Sequence, residues 1–198
     1  MKTKNAELMH MALATLKGKW GLAVGTYLLY YLIISAIQTP GQYFPAAGIA
    51  SLILSGPFAL GLAYFTLTFS RGKEAKLSMI FLGFNRFGIS LGAYLLMVVF
   101  TLLWSLLLII PGIIAAISYS MTFFILADDG TIGAMAAIDK SKQMMYGYKW
   151  KYFCLGLRFI GWGLLSILTL GVGLLWLIPY VHVSLAKFYD DIKDATVN

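Results

Sequence analysis

Two side chains could carry chemistry within the apolar part of this 198-residue chain, namely Arg158 and His182. A charge at the centre of a bilayer costs at least about 2.5–3.5 kcal/mol, so an intramembrane arginine is a candidate functional residue. One interpretation makes Arg158 a buried cation paired with Asp128 or Asp129. The alternative is that its long stem reaches back to the headgroups, since Arg158 lies only about 12 Å along a helix from Trp150.

The remaining candidates for catalysis or metal binding are few and widely separated. His182 could relay protons, but a structural hydrogen bond to a neighbouring helix is the better expectation. His10 falls on the polar side of a short N-terminal helix, and Cys154 is flanked by apolar residues. Two histidines and one cysteine far apart do not supply a metal site. Ser184 has no readable acid or oxyanion partner. We therefore expect neither an enzyme nor a bound cofactor.

The composition points to a bilayer as the solvent. Apolar residues make up 60% of the chain and charged residues 12%, against about 45–50% and about 25% in soluble domains. Three long stretches without charge, 20–70, 87–127 and 159–186, separate the charged segments. If each stretch enters a membrane and returns, all 15 Lys/Arg and all 8 Asp/Glu lie on one face.

This arrangement explains the net charge of +7 without nucleic acid. Basic residues are retained on the cytoplasmic side of membranes and attract anionic lipid headgroups. A nucleic-acid surface would need basic side chains interleaved with exposed aromatics, and none is readable here. The expected partners are therefore membrane lipids.

The lengths of the stretches set the number of helices. A spanning helix needs about 20 apolar residues, so each of the first two stretches fits two spans, and 152–186 fits two short ones. The predicted fold class is all-α, a polytopic membrane protein with six transmembrane helices in three hairpins. Its single domain of residues 1–198 divides into an N-terminal amphipathic helix (1–19), hairpin 1 (20–70), an inner loop (71–86), hairpin 2 (87–127), an inner amphipathic helix (128–149), hairpin 3 (150–189) and a tail (190–198).

Local signals predict how the connecting segments fold. Asn5 is a candidate N-cap for a helix that Gly18 ends, lying in the inner headgroup layer or serving as a simple lead-in. The turn at 39–45 carries aromatics suited to the outer interface, and 109–112 is an apolar turn. The segment 77–86 is expected at the inner interface. A further amphipathic helix is predicted from Thr131 to Tyr146, with Gly147 as its end.

Prolines and glycines form a weak threefold repeat. Each hairpin opens with a basic residue near an aromatic, and each second helix carries one proline: Pro57, Pro111 and Pro179. Such prolines kink a helix or, as favoured for Pro111 before Gly112, lie in its first turn. Broken helices can expose carbonyls to a substrate in transporters, but they also occur in inert bundles.

Small-residue spacing recurs near the start of the first two hairpins. Gly21 and Gly25 are four residues apart, as are Gly88 and Gly92. This spacing lets helix backbones approach closely, within one chain or between copies. It therefore predicts helix packing at these glycines and a homo-oligomer.

Apolar motifs in hairpins 2 and 3, read together, are specific enough to suggest a family. They are Trp104-Ser105-Leu106-Leu107-Leu108-Ile109-Ile110-Pro111-Gly112-Ile113-Ile114, Tyr119-Ser120-Met121 with Ile125-Leu126-Ala127-Asp128, and Phe159-Ile160-Gly161-Trp162-Gly163-Leu164-Leu165 with Leu168-Thr169-Leu170-Gly171-Val172-Gly173 and Pro179-Tyr180. They resemble the bacterial integral-membrane family catalogued as domain of unknown function nine-seven-five, over nearly the whole chain. The resemblance implies a six-helix bacterial inner-membrane protein and brings no reaction, substrate or catalytic residue. Arg158 departs from the small or apolar residue expected at that position.

Two classes of function follow from these features. The first is a transport or channel-like protein for a small or amphipathic solute, supported by the repeat, the prolines and Arg158. The alternative is a non-transporting binding or structural protein: an accessory subunit, a lipid-organising factor or a self-protection factor. Its support is the scarcity of intramembrane polar residues. In both cases we expect a multi-pass protein of the bacterial cytoplasmic membrane with both termini in the cytoplasm.

Overall fold

The computed structural model describes residues 3–39 and 45–197, with side chains described for 3–39 and 48–194. These residues form helices and no strand, in agreement with the all-α prediction. The helices are α1 (Asn5–Leu16), α2 (Trp20–Gln38), α3 (Pro45–Ser70), a 3₁₀ helix (Leu77–Arg86), α4 (Phe87–Leu107), α5 (Ile109–Tyr119), α6 (Thr122–Asp128), α7 (Ala134–Met144), α8 (Lys149–Leu168) and α9 (Leu174–Val197).

Five segments of the described chain are long and apolar enough to cross a membrane. They are Trp20–Gln38, Gly48–Ser70, Leu77–Leu107, Ile109–Asp128 and Lys149–Leu168. The sixth predicted span, in α9, is not among them, and charged residues occupy its second half from Lys187 onward. Length and composition therefore identify five candidate spans in the described chain, and the sixth span in α9 stays a prediction.

Helix α3 lies at the centre of the bundle. It packs against the 3₁₀ helix, α4, α6, α2 and α9. Its Leu60 and Phe65 are fully buried. The hydroxyls of Thr66 and of Tyr27 on α2 are hydrogen-bonded to each other at 2.7 Å. Pro57 lies inside α3, as Pro179 lies inside α9. The central helix thus fixes the position of the elements around it.

The 3₁₀ helix, which the sequence analysis expects at the inner interface, is packed closely against α3. A methyl group added to Gly61 would lie 1.8 Å from the Ile80 carbonyl oxygen, and one added to Gly83 would lie 1.8 Å from the Pro57 carbonyl oxygen. Only glycine permits such backbone contact. The opposite face, including Phe81, remains exposed.

Hairpin 2 turns at a single residue. Helix α4 ends at Leu107, Leu108 is extended, and α5 begins at Ile109. The predicted turn at 109–112 is therefore the first turn of α5. Pro111 lies within that turn and does not interrupt a helix, because its missing N–H is one that a first turn leaves without an intrahelical partner.

The fourth predicted span is broken. Helix α5 ends at Tyr119 and α6 starts at Thr122, with Ser120 and Met121 between them. The two spans predicted for hairpin 2 required one continuous helix here. The break leaves main-chain groups that need partners from elsewhere in the fold.

The connecting helices follow the predicted ends better than the predicted starts. Gly18 and Gly147 adopt positive φ angles of 79° and 78°, which end α1 and the turn after α7. Asn5 does not cap α1, since its side-chain amide donates to the Lys151 carbonyl 2.9 Å away. Helix α7 begins at Ala134 rather than Thr131, whose N–H and hydroxyl donate to the carboxylate of Asp129. The predicted turn at 39–45 falls mainly outside the described residues.

Candidate functional site

Charged side chains from three helices meet around Arg71, directly after α3. Its guanidinium donates to Asp128 at the end of α6, at 2.6 Å, and to Asp190 of α9, at 2.7 Å. The second oxygen of Asp128 accepts from Lys193 and, at 3.0 Å, from the Tyr189 hydroxyl. Hydrogen bonds to the two carboxylates hold the pKa of Arg71 above its ordinary value. Arg71 thus ties the ends of α3, α6 and α9 together.

A second ion pair joins α8, α9 and the N-terminal segment. Lys151 donates to Asp191 at 2.6 Å, and Thr3 donates to the same carboxylate through its N–H and its hydroxyl. Burial alone raises the pKa of Asp191, but the hydrogen bonds from Lys151 and Thr3 outweigh it and hold the pKa below its ordinary value. This pair closes the gap between hairpin 3 and the start of the chain.

Two further cations satisfy carbonyls at helix ends. Arg86 donates to the main-chain oxygens of Leu126, Asp129 and Ile132, at and beyond the end of α6. The Lys187 ammonium donates to the Ser70 carbonyl at the end of α3. Helix C-termini leave such oxygens without intrahelical donors. We refer to the residues Arg71, Arg86, Asp128, Lys151, Lys187, Asp190, Asp191 and Lys193 as the charged end.

Neither intramembrane candidate from the sequence belongs to this site. Arg158 lies exposed on α8. The hypothesis that pairs it with Asp128 or Asp129 is wrong, because Asp128 is taken by Arg71 and Lys193 and Asp129 binds Thr131. His182 is half-buried, and its ring packs against that of Tyr27 with centroids 5.0 Å apart. Its described contact is therefore a ring contact rather than a hydrogen bond.

The glycine pairs named from the sequence make little contact within the chain. Methyl groups at Gly21, Gly25 and Gly88 would meet nothing within 4 Å, while one at Gly92 would touch the Ala134 side chain at 3.7 Å. The close backbone contacts lie instead at glycines of α3 and the 3₁₀ helix, described above. The four-residue spacing therefore did not locate the packing sites within the chain, and contact between copies at these glycines stays a prediction.

Ser141 on α7 closes the break between α5 and α6. It is fully buried, donates to the Ser118 carbonyl at 2.7 Å and accepts from the Met121 N–H at 3.3 Å. Sequence reasoning missed Ser141, although a serine on the apolar face of an amphipathic helix was a signal for it, beside Ile138.

A groove of about 600 Å³ lies between α4, α5, α7 and the start of α8. One wall is apolar and includes Trp104 and Ile114, while Lys142, Tyr146 and Lys149 line the other. The Lys142 ammonium lies 5.8 Å and 5.7 Å from the centroids of two aromatic rings, those of Phe100 and Tyr119. Both distances are within the range of cation–π attraction. The groove therefore combines cations with an apolar wall.

A second groove, of about 340 Å³, differs in its chemistry. It is lined by aromatic residues of α2, α8 and α9, with Ser166 and Thr169 contributing hydroxyls. The aromatic residues are Trp20, Trp162, Trp176 and Tyr180. In the part of the chain that the structure describes, no three His, Cys, Asp or Glu side chains come together as metal ligands.

The bundle of apolar helices, bound together at a charged end, indicates a helical membrane protein. A family model described as "Protein of unknown function (DUF975)" matches residues 1–118 and 106–196. The chain belongs to this family. A search of curated proteins and a search of solved structures found no match to this chain.

Proposed function

We propose that this protein is an integral membrane protein that binds lipids or other amphiphiles and does not conduct hydrophilic solutes. The hairpins enter the bilayer from the charged end, which faces the cytoplasm because basic residues are retained there. Six helices in three hairpins, with both termini on that side, follow from this placement. Of the two classes of function that the sequence leaves open, we thus favour a lipid-organising protein and not a transporter.

The observation that carries the proposal is that buried hydroxyl groups are hydrogen-bonded within the protein. Apart from Ser70, every buried serine or threonine hydroxyl in the described residues donates to a main-chain carbonyl, in most cases one turn earlier in its own helix. The hydroxyls of the buried Tyr27 and Tyr189 bond the side chains of Thr66 and Asp128. Ser141 satisfies main-chain groups of both helices at the break between α5 and α6. A hydrophilic pathway needs several polar groups that are free to bind a solute. These groups already have protein partners.

The hairpin ends support immersion in lipid. The five residues 106–110, at the turn of hairpin 2, are all aliphatic and 66–88% exposed. Leu170, at the turn of hairpin 3, is 96% exposed. Exposed aliphatic surface of this extent is unfavourable in water and neutral among acyl chains. The turn itself is internally bonded, since the Leu108 N–H donates to Trp104 and its carbonyl accepts from Gly112.

Flux measurements on proteoliposomes test the proposal. We expect the purified protein to leave ion and small-solute permeability at the level of empty liposomes under any imposed gradient. A flux that depends on the protein and saturates with solute concentration would favour the transport hypothesis instead. Limited proteolysis of the same vesicles determines the orientation of the protein. It excludes incorrect insertion as the reason for an absence of flux.

Cysteine labelling tests the placement. In a Cys154→Ala background, Lys140→Cys on exposed α7 should react with an impermeant maleimide only from the cytoplasmic side. Leu108→Cys should stay protected from both sides, since acyl chains surround it. Reaction of Lys140→Cys from outside intact cells would overturn the orientation. Ser141, fully buried, is unsuitable as a labelling position.

A further inference from the structure

The groove between α4, α5, α7 and α8 has the polarity of a lipid rather than that of a soluble ligand. Its cations, Lys142 and Lys149, stand on one wall with the Tyr146 hydroxyl, and aliphatic and aromatic carbon forms the other. Tyr146 is 83% exposed and Trp150 beside it is 73% exposed. Exposed tyrosine and tryptophan are typical of the headgroup layer of a membrane. The groove therefore crosses from that layer into the acyl region.

The two lysines remain available to a ligand. Lys142 pairs with Asp139 at 3.1 Å, but both side chains are nearly half exposed, and such surface pairs contribute little. The cation–π contacts with Phe100 and Tyr119 hold the ammonium at the mouth of the groove. Lys149 makes no ion pair among the described residues. An anion that reaches both lysines would add to these contacts without breaking a buried pair.

The apolar wall extends away from the cations. Trp104 and Ile114 are 48% and 46% exposed, and Pro111 and Ala115 lie between them. From there the exposed aliphatic residues 106–110 continue to the end of the hairpin. A ligand with a charged head and a hydrocarbon chain matches this sequence of surfaces, whereas a short anion would leave the apolar wall uncovered.

We infer that this groove binds one anionic phospholipid, with the phosphate on Lys142 and Lys149 and an acyl chain along Trp104 and Ile114. The inference rests on the membrane placement proposed above and adds a defined site to it. The second groove, with hydroxyls but no cation at its polar positions, has no such preference for an anionic headgroup. The ligand class is therefore read from charge and shape together.

Lipid titration in detergent tests the inference. The purified protein in a non-ionic detergent is titrated with short-chain phosphatidylglycerol and, separately, with phosphatidylcholine of the same chain length, followed by native mass spectrometry. We expect the anionic lipid to bind about tenfold or more tightly. Lys142→Gln with Lys149→Gln should remove that preference. The control Lys17→Gln with Lys140→Gln changes the net charge equally at exposed positions outside the groove and should keep it.

Two further arms separate a lipid from a free anion. Ile114→Trp adds bulk at the apolar wall of the groove and leaves both lysines in place. It should weaken the binding of both lipids severalfold. Millimolar inorganic phosphate should compete poorly with phosphatidylglycerol. Equal binding by the groove and control variants, or displacement of the lipid by inorganic phosphate, would overturn the inference.

The outcomes are distinguishable from failure of the proposed function. Loss of the preference for anionic lipid in the Lys142/Lys149 variant, together with liposomes that show no protein-dependent flux, supports both the lipid site and the proposed function. Protein-dependent flux together with an unchanged preference for anionic lipid would contradict the non-conducting function but support the lipid site in the groove. Circular dichroism and thermal unfolding of each variant exclude misfolding, since Lys→Gln retains most of the aliphatic stem.

Discussion

Helices α3 and α8 have similar hydropathy but very different surroundings. Their candidate spans have mean hydropathies of 1.6 and 1.3, yet 61% of the α3 span is buried in protein against 17% of the α8 span. In water, a strongly apolar helix is driven into a core. In a bilayer, lipid is as apolar as a leucine side chain, so hydropathy does not select which helices become central. Steric fit and ion pairing at the helix ends decide it here.

The contrast extends to single residue types. Gly61 on α3 is in backbone contact with the 3₁₀ helix, while Gly21 on α2 faces open space. Arg71 after α3 binds two carboxylates, while Arg158 on α8 lies exposed. Each pair offers the same substitution in the packed and in the open region, which makes the comparison testable.

Replacing the arginines should give the largest difference. Arg71→Leu removes two ion pairs and leaves Asp190 without its described partner, so we expect a loss of about 3 kcal/mol in the free energy of unfolding. Asp128 keeps Lys193 and Tyr189, which limits the loss. Arg158→Leu should change stability by less than about 0.5 kcal/mol. Reversible unfolding in mixed micelles with increasing SDS measures both, and equal losses would contradict the contrast.

Replacing the glycines should give the next largest difference. The methyl group of Gly61→Ala would collide with the main chain at Ile80, which has no rotamer to change, so we expect a loss of about 2–3 kcal/mol. Gly21→Ala meets nothing and favours the helix, so it should be neutral or stabilising by up to about 1 kcal/mol. The same SDS titration applies. A neutral Gly61→Ala would show that α3 and the 3₁₀ helix separate easily.

Much of the fold was predictable because the bilayer constrains helix length. Hairpin 1 was expected to begin at residue 20, and α2 begins at Trp20; hairpin 3 was expected to begin at residue 150, and α8 begins at Lys149. The glycines at 18 and 147 marked real ends. The break at Ser120 was not predictable, because its partner Ser141 comes from a helix that is distant in sequence.

A leucine pair tests packing without charge or backbone strain. Leu60 on α3 is fully buried, and Leu106 at the end of α4 is 88% exposed. Leu60→Ala should cost about 2 kcal/mol, near the low end for buried leucines, because dispersion contacts are lost but no transfer from water is reversed. Leu106→Ala should stay within about 0.5 kcal/mol. If Leu106→Ala costs as much, the hairpin end is covered by protein and not by lipid.

The candidate sites were predictable only in part, for a physical reason. Charge runs showed which segments are polar, but not which carboxylate meets which cation, and the pairing of Arg71 with Asp128 and Asp190 joins residues far apart in sequence. Arg158 attracted attention because a lone charge stands out in an apolar run. The lysines of the groove did not, because Lys142 and Lys149 lie within a charged segment that looked uniformly solvated.

The smallest expected effect concerns pH at the second ion pair. Because the folded protein holds the pKa of Asp191 below its ordinary value, this carboxylate stabilises the fold above the unfolded pKa of about 3.9, and the contribution is lost as the pH falls through the folded pKa. Because asparagine keeps an oxygen that accepts from Thr3 or Lys151, we expect the stability of wild type to exceed that of Asp191→Asn by only about 1 kcal/mol at pH 7. The difference should persist to about pH 5 and disappear in stronger acid, below the folded pKa.

The matched control for this titration is Asp139→Asn, which removes a carboxylate from an exposed pair with Lys142. It should lower stability little at any pH, since exposed pairs are screened by water and salt. Wild type and both variants share the other carboxylates of the charged end, so differences between the stability curves isolate each position. A wild-type advantage over Asp191→Asn that grows as the pH falls would mean that the Lys151–Asp191 pair destabilises the fold. The packed helices would then be held at this end by the contacts of Arg71, Arg86, Lys187 and Lys193.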